Sequence, residues 1–358
     1  MEKRLRINGH GHLLPEPEVI PTFMKNKEVF WVDADRKYMR QQNWSRPITD
    51  PSFFLKEKLE WMEKNKIDHE VVLNLSQLYC NGYNQQLAKD VIRFQNDFNA
   101  SVQADHPDKF TTGFVVQAAY VEDALVEIER CVYKHNMTLL CLPTHFVNAS
   151  GKWTSTADPS VEPIFELANE LGLAMEIHPY NGPDMIKLED QFWRFHLIWM
   201  CAQTADHYHM FSLLGYPQKY PKLRSCYAHG NQYAQVNIGR RKQGFNGRPD
   251  LFQGATHPAD SQAISNVYYD TLVHDVYSLE LLIKRQGVSQ VVLGLDDPYP
   301  LGEMENVEDS YPGKVLDDAV RLEIITEKEK DSIWNNHIVN WLYGDRKELF
   351  YNRIKGKS

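Results

Sequence analysis

Leu5-Arg6-Ile7-Asn8-Gly9-His10-Gly11-His12, close to the start of the chain, reads as a short apolar strand ending in two histidines one residue apart. Side chains two positions apart on an extended segment point the same way, so both imidazoles can aim at one ion. Gly9 and Gly11 let the backbone come close. An ion of borderline softness such as zinc accepts neutral imidazole and carboxylate together, and a catalytic site keeps one position open for water. Two histidines do not complete such a shell, so the missing ligands are sought on other strand ends.

Three further apolar runs end in a suitable side chain. Leu173-Ala174-Met175-Glu176-Ile177 runs into His178-Pro179, Leu223 to Ala228 runs into His229-Gly230, and Gln290 to Leu295 runs into Asp296-Asp297. Proline or glycine directly after a polar residue ends the strand there. His207-Tyr208-His209 has the same spacing as the first pair but lies in a segment of helical period, where residues two apart face different ways, and is read as a packing or surface pair. The other histidines, His69, His106, His135, His145, His196, His257, His274 and His337, are read mostly as solvated or packed.

Along the chain, strand candidates alternate with helical segments. The strands are Leu5 to Asn8, Glu70 to Leu75, Thr111 to Val116, Thr138 to Leu142, Leu173 to Ile177, Leu223 to Ala228, Ile264 to Tyr269 and Val291 to Leu295. The helices include Lys56 to Lys66, Gln86 to His106, Val121 to His135, Glu162 to Leu171, Phe192 to Ala205 and Ser278 to Gln286. Eight strands with intervening helices predict an α/β protein, a parallel (β/α)8 TIM barrel whose site lies at the strand ends. The expected organisation is one domain over 1–358. An aromatic, proline-marked insertion at about 13–50 covers the barrel mouth, and helices at about 313–345 pack outside.

The 358 residues, 42% hydrophobic and 24% charged, suit one large globular domain, and a net charge of -9 with no basic stripe argues against a nucleic-acid partner. No apolar stretch reaches the roughly twenty residues that cross a bilayer. Met1-Glu2-Lys3-Arg4 leads straight into a strand instead of a signal sequence, so a cytoplasmic protein with no membrane partner is expected. Cys80, Cys131, Cys141, Cys201 and Cys226 have no paired spacing and are read as reduced packing residues.

The ordered set His10-Gly11-His12, Ile177-His178-Pro179, Tyr227-Ala228-His229-Gly230 and Leu293-Gly294-Leu295-Asp296-Asp297-Pro298-Tyr299-Pro300-Leu301-Gly302-Glu303 resembles a known family. So do Gly239-Arg240, Arg248-Pro249-Asp250-Leu251 and Asp270-Thr271-Leu272-Val273-His274-Asp275. The chain resembles the 2-amino-3-carboxymuconate-6-semialdehyde decarboxylases, in the decarboxylating branch of the amidohydrolase superfamily, from about Leu5 to Tyr343. The resemblance implies a zinc-dependent, non-oxidative decarboxylase of tryptophan or related aromatic catabolism, with one Zn2+ per chain held by His10, His12, His178 and Asp296. It further implies His229 as acid and base beside the metal. Arg240 would be contributed to the neighbouring site of a homodimer to hold a carboxylate of a small dicarboxylate substrate. A second such arginine falls at Arg46, with Arg40 as the alternative. Asp297 and His196 stand where relatives often carry aromatic residues.

Residue chemistry agrees with these roles. A metal that lowers the pKa of water needs a nearby base, which imidazole provides near neutrality. Arginine holds a carboxylate through two parallel hydrogen bonds, which lysine cannot match. Two rivals keep the same site: a decarboxylase of an aromatic acid such as a hydroxybenzoate, and a mononuclear hydrolase. The hydroxybenzoate enzymes commonly place glutamate before the first histidine ligand, where this chain has His10. A two-metal hydrolase would need a bridging lysine, which Thr138 to Thr144 lacks. A non-catalytic metal-binding barrel would not need His229.

Overall fold

The computed structural model describes residues 5–42, 44–179, 191–257 and 264–356; Met1 to Arg4 lie outside that set. Eight strands form one parallel sheet in chain order: β1 (Ile7–His12), β2 (His69–Leu73), β3 (Phe110–Val115), β4 (Leu139–Pro143), β5 (Ala174–His178), β6 (Arg224–Tyr227), β7 (Val267–Asp270) and β8 (Val291–Val292). The sheet curls until its edges meet. Gly9 N–H donates to the Leu293 carbonyl at 2.9 Å, Asp296 N–H donates to the His10 carbonyl at 2.7 Å, and Gly11 pairs in parallel with Asp297. This is the expected (β/α)8 barrel. Strands such as Leu139-Leu140-Cys141-Leu142-Pro143 are buried along their whole length, as barrel strands covered on both faces must be.

The strands match their expected positions to within a few residues, with two informative shifts. β1 runs on through both histidines to His12, and regular pairing of β8 stops at Val292. Around the barrel lie α1 (Leu55–Lys64), α2 (Gln85–Asp105), α3 (Val121–His135), α4 (Glu162–Glu170), α5 (Met200–Leu213), α6 (Gln232–Gly247) and α7 (Val276–Gln286). The helix expected from Phe192 to Ala205 begins instead with a wide π-type turn over Phe195–Trp199. α6 was not foreseen, because Gly239, Gly244 and Gly247 weaken its helical signal.

Four more helices follow the barrel: α8 (Lys314–Arg321), α9 (Glu327–Ile333), α10 (Asn336–Tyr343) and α11 (Lys347–Ile354). The helical segment expected at about 313–345 is interrupted at Asn335, which leaves the helical region. In the insertion, Trp31–Val32, Tyr38–Gln41 and Trp44–Pro47 pair as a small antiparallel sheet with Met39 opposite Arg46. Among the described residues no helix is long and apolar enough to cross a membrane.

Candidate metal centre

Barrel register brings the predicted ligands to one level. Ile177 pairs with Leu142 and Tyr227, so His178 and His229 leave neighbouring strands at the same height. His12 sits beside Leu73 at the same end of β1. Each ligand imidazole spends its Nδ1–H on an acceptor: His10 on Asp270 Oδ2 at 2.8 Å, His12 on the Leu73 carbonyl at 3.2 Å, His178 on the Pro179 carbonyl at 2.7 Å. The Nε2 lone pairs are thereby left for an ion. Nε2 of His10 and of His178 are buried with no hydrogen-bond partner among the described residues, and the candidate ligand atoms of His10, His12 and His178 all lie within 4.8 Å of one another. Asp296 Oδ1 is 3.0 Å from His12 Nε2 and 3.6 Å from His10 Nε2. Three imidazole nitrogens and one carboxylate oxygen suit a divalent ion of the zinc or manganese type.

Electrostatics favour a cation here. Burial lowers the pKa of His12 and of His178, disfavouring charge on either ring. At His10 burial also opposes charge, but the Asp270 hydrogen bond and the Asp296 carboxylate outweigh it and push the pKa up to about 9. Asp296 is held well below the usual carboxylate range despite burial, through its bond to His12 and the nearness of His10.

His229 stands on a tight turn, Ala228–Asn231, in which His229, Gly230 and Asn231 have φ of +57°, +60° and +46°. Such backbone is costly for a residue with a side chain and recurs at functional sites. The ring centroid of His229 lies 5.1 Å from that of His178 and 5.8 Å from that of His10. Asp270 ties this turn to the ligands: Oδ1 accepts from Gly230 N–H at 2.9 Å while Oδ2 accepts from His10. A Cβ at Gly230 would come within 2.4 Å of Val273, so only glycine fits.

Beneath the candidate ligands, along the seam between β1 and β8, lies a cluster with no signal in the local sequence pattern. Lys58 of α1 is fully buried, with Nζ 2.7 Å from Glu70 Oε1 and bonded to Asp297. Asn8 donates to Asp297 Oδ1 at 2.6 Å and accepts from His10 N–H at 3.1 Å. The Asp297 side chain is therefore part of an ion cluster, while its carbonyl accepts from His12 N–H at 2.9 Å. The close approach anticipated at both glycines is physical: a Cβ on Gly11 would meet Glu70 Oε1 at 2.4 Å, and one on Gly9 would meet the Leu293 carbonyl at 2.5 Å.

Above the ligands opens a cavity of about 320 Å³ lined by His12, His178, His229 and Asp296 together with Arg46, His196 and Tyr299. Arg46 donates to His196 Nε2 at 2.9 Å and lies over the Tyr299 ring at 5.1 Å. Arg40 is turned onto Asp33 at 2.6 to 2.9 Å and does not line the cavity. Arg240 is exposed on α6, away from its own chain's cavity. His207 is a packing residue, buried against the Tyr227 hydroxyl at 3.0 Å, and His209 accepts from Arg241. Sequence reasoning missed Asp270, Lys58 and the cavity position of Cys201, which it read as a packing residue. His274, read with the background histidines, and Tyr299 also line the cavity, although both sit inside quoted motifs that could have marked them.

The loop after Asp296 is pinned by Glu303, whose buried carboxylate accepts from Val315 N–H at 2.7 Å and Gly313 N–H at 3.1 Å at the start of α8. That anchor holds Tyr299, Pro300 and Leu301 on the cavity wall.

The amidohydrolase family profile matches residues 7–333. A curated 2-amino-3-carboxymuconate-6-semialdehyde decarboxylase of Dictyostelium discoideum is 27% identical over 352 residues, 95% of this chain and 92% of that protein. Among solved structures, 5-carboxyvanillate decarboxylase from Sphingomonas paucimobilis superposes with a TM-score of 0.74 at 17% identity, covering 95% of this chain and 99% of that one. A dihydroxybenzoic acid decarboxylase from Polaromonas, solved with bound manganese and the inhibitor 2-nitroresorcinol, gives 0.70 at 16% identity, covering 98% and 100%.

Proposed function

The chain belongs to the amidohydrolase family, and from that premise we propose that it is a metal-dependent carboxy-lyase acting without oxidation on 2-amino-3-carboxymuconate 6-semialdehyde, with zinc as its metal. One observation carries the reading: His10, His12, His178 and Asp296 converge under a cavity whose wall also holds His229 and Arg46. Curated relatives of that name support the substrate.

A divalent ion held by these four residues supplies Lewis acidity and water of lowered pKa. The chain's own groups do the rest. Loss of CO2 replaces a carbon–carboxylate bond by a carbon–hydrogen bond, so one proton must be held and delivered where the carboxylate leaves. His229 stands beside the ligands, and burial lowers its pKa, so its neutral imidazole can take up a proton and return it. Arg46, oriented by His196 and Tyr299, grips a substrate carboxylate and fixes the reacting carbon, a gain in orientation that needs no movement at the moment of reaction. The apolar wall of Leu75, Leu197, Met200 and Leu272 limits water around the reacting carbon. Arg240 completes a second carboxylate grip from the neighbouring chain of a homodimer; its exposure away from its own cavity supports that reading.

The test compares CO2 release from the semialdehyde, 5-carboxyvanillate and 2,6-dihydroxybenzoate by the metal-loaded protein, before and after chelation. Higher kcat/KM on the semialdehyde, lost on chelation and restored best by zinc, is expected. Release from the aromatic acids alone would overturn the substrate, and release from none would overturn the reaction. Recovery with manganese but not zinc would overturn the metal.

A further inference from the structure

The loop after β7 packs against the His229 turn and carries one more imidazole to the cavity. Thr271 Oγ1 accepts from Gly294 N–H at 3.2 Å, and Leu272 N–H donates to Asp270 at 3.1 Å. Val273 fills the space that a Cβ on Gly230 would need. On the far side Asp275 caps α7, its carboxylate accepting from Ser278 N–H at 2.7 Å. Between these two anchors sits His274, with φ of +58°, a left-handed conformation that histidine adopts only at a cost. Its side chain has no hydrogen-bond partner among the described residues, is open to solvent, and lines the same cavity as His229, Asp296 and Arg46. Strained backbone thus presents to the cavity an imidazole that has no hydrogen-bond partner among the described residues.

We propose that His274 is a specificity-determining residue that contacts substrate directly, its imidazole hydrogen-bonding the uncharged polar end of an open-chain molecule whose carboxylates are taken by arginine. The inference rests on the substrate class proposed above. A neutral imidazole offers one donor and one acceptor, which suits an aldehyde oxygen or an amino or hydroxyl group. A carboxylate is matched better by the guanidinium fork of Arg46. Desolvation lowers the pKa of His274, which favours that neutral form. Leu272 and Val273 flank it on the cavity wall.

The probes are 2-hydroxymuconate 6-semialdehyde, which carries the aldehyde but lacks the carboxylate to be lost, and cis,cis-muconate, which ends in carboxylates. Binding of both to the metal-loaded protein is measured for wild type, His274→Asn and His274→Gly, variants that tolerate positive φ. Metal content and melting temperature should match wild type or rise slightly, while the Kd for the semialdehyde weakens about tenfold or more and that for muconate changes little. Equal weakening for both probes, no weakening for either, or no semialdehyde binding by wild type would overturn the proposal. If the binding difference holds but wild type releases no CO2 from the proposed substrate, the reaction assignment falls and the role of His274 stands.

Discussion

Replacing Lys58 by methionine removes the cation that Glu70 and Asp297 share in full burial. Burial alone would drive the proton off Lys58, but Asp297 and Glu70 together hold its pKa above the ordinary lysine range, so the cluster contains a true ammonium. Methionine fills most of the stem volume, which leaves chiefly the electrostatic loss. Breaking a buried pair by deleting one partner costs about 3–5 kcal/mol. Part is recovered by protonation of Glu70, whose pKa desolvation and the Asp297 charge raise. We therefore expect about 3 kcal/mol of lost stability in urea denaturation of the metal-free protein at neutral pH. Metal affinity should fall as well, because the Asp297 carbonyl accepts from His12 N–H at 2.9 Å and Asp296 is its neighbour. Adding Glu70→Gln and Asp297→Asn to Lys58→Met should regain most of the stability, as no unpaired charge then remains. A single variant within about 0.5 kcal/mol of wild type, with full metal content, would refute the assignment of a buried ammonium to this seam.

Gly11→Ala should strip the metal, because its Cβ overlaps Glu70 and Asp297; metal analysis of the purified variant checks this, and full occupancy would show that the seam can relax. His229→Ala should keep its metal and lose turnover, whereas loss of metal would make His229 a ligand. Mixing His229→Ala with Arg240→Ala chains should restore about a quarter of wild-type turnover if sites are shared across a dimer; verified mixed dimers without activity would exclude that geometry. Glu303, whose carboxyl burial pushes up to about 7, binds its proton more tightly folded than unfolded, so its contribution to stability falls as pH rises from about 4.5 through 7. Glu303→Gln should flatten that part of the pH–stability curve, and an unchanged slope would count against the shift.

Much of the candidate site was legible because its candidate ligands obey strand geometry. His10 and His12 show the period of two directly, and His178, His229 and Asp296 each follow an apolar run at a turn. What stayed hidden depends on contacts between segments far apart in sequence. Lys58 lies on α1, where a lysine between Glu57 and Leu59 looks solvated; only the meeting of β1, β2 and β8 buries it. Asp270 ends a predicted strand as Asp296 does, yet its role is to orient His10 and brace the Gly230 turn, and no local pattern separates an orienting carboxylate from a binding one. Arg46 and Arg40 could not be told apart from spacing, since the choice is made by Asp33 capturing one of them. The break at Asn335 and the wide turn over Phe195–Trp199 are likewise fixed by packing and escape a helical period.

His12 and Asp296, 3.0 Å apart in space, are 284 residues apart along the chain. During synthesis the first two imidazoles leave the ribosome long before the carboxylate exists, and the joint between the ends of the barrel is the last of its strand seams that can form. A nascent chain can therefore hold metal only loosely through its first histidines, and tight capture must wait for Asp296. Loading becomes the final act of assembly, so a truncated product ending before Asp296 should neither retain the ion nor draw it away from finished molecules.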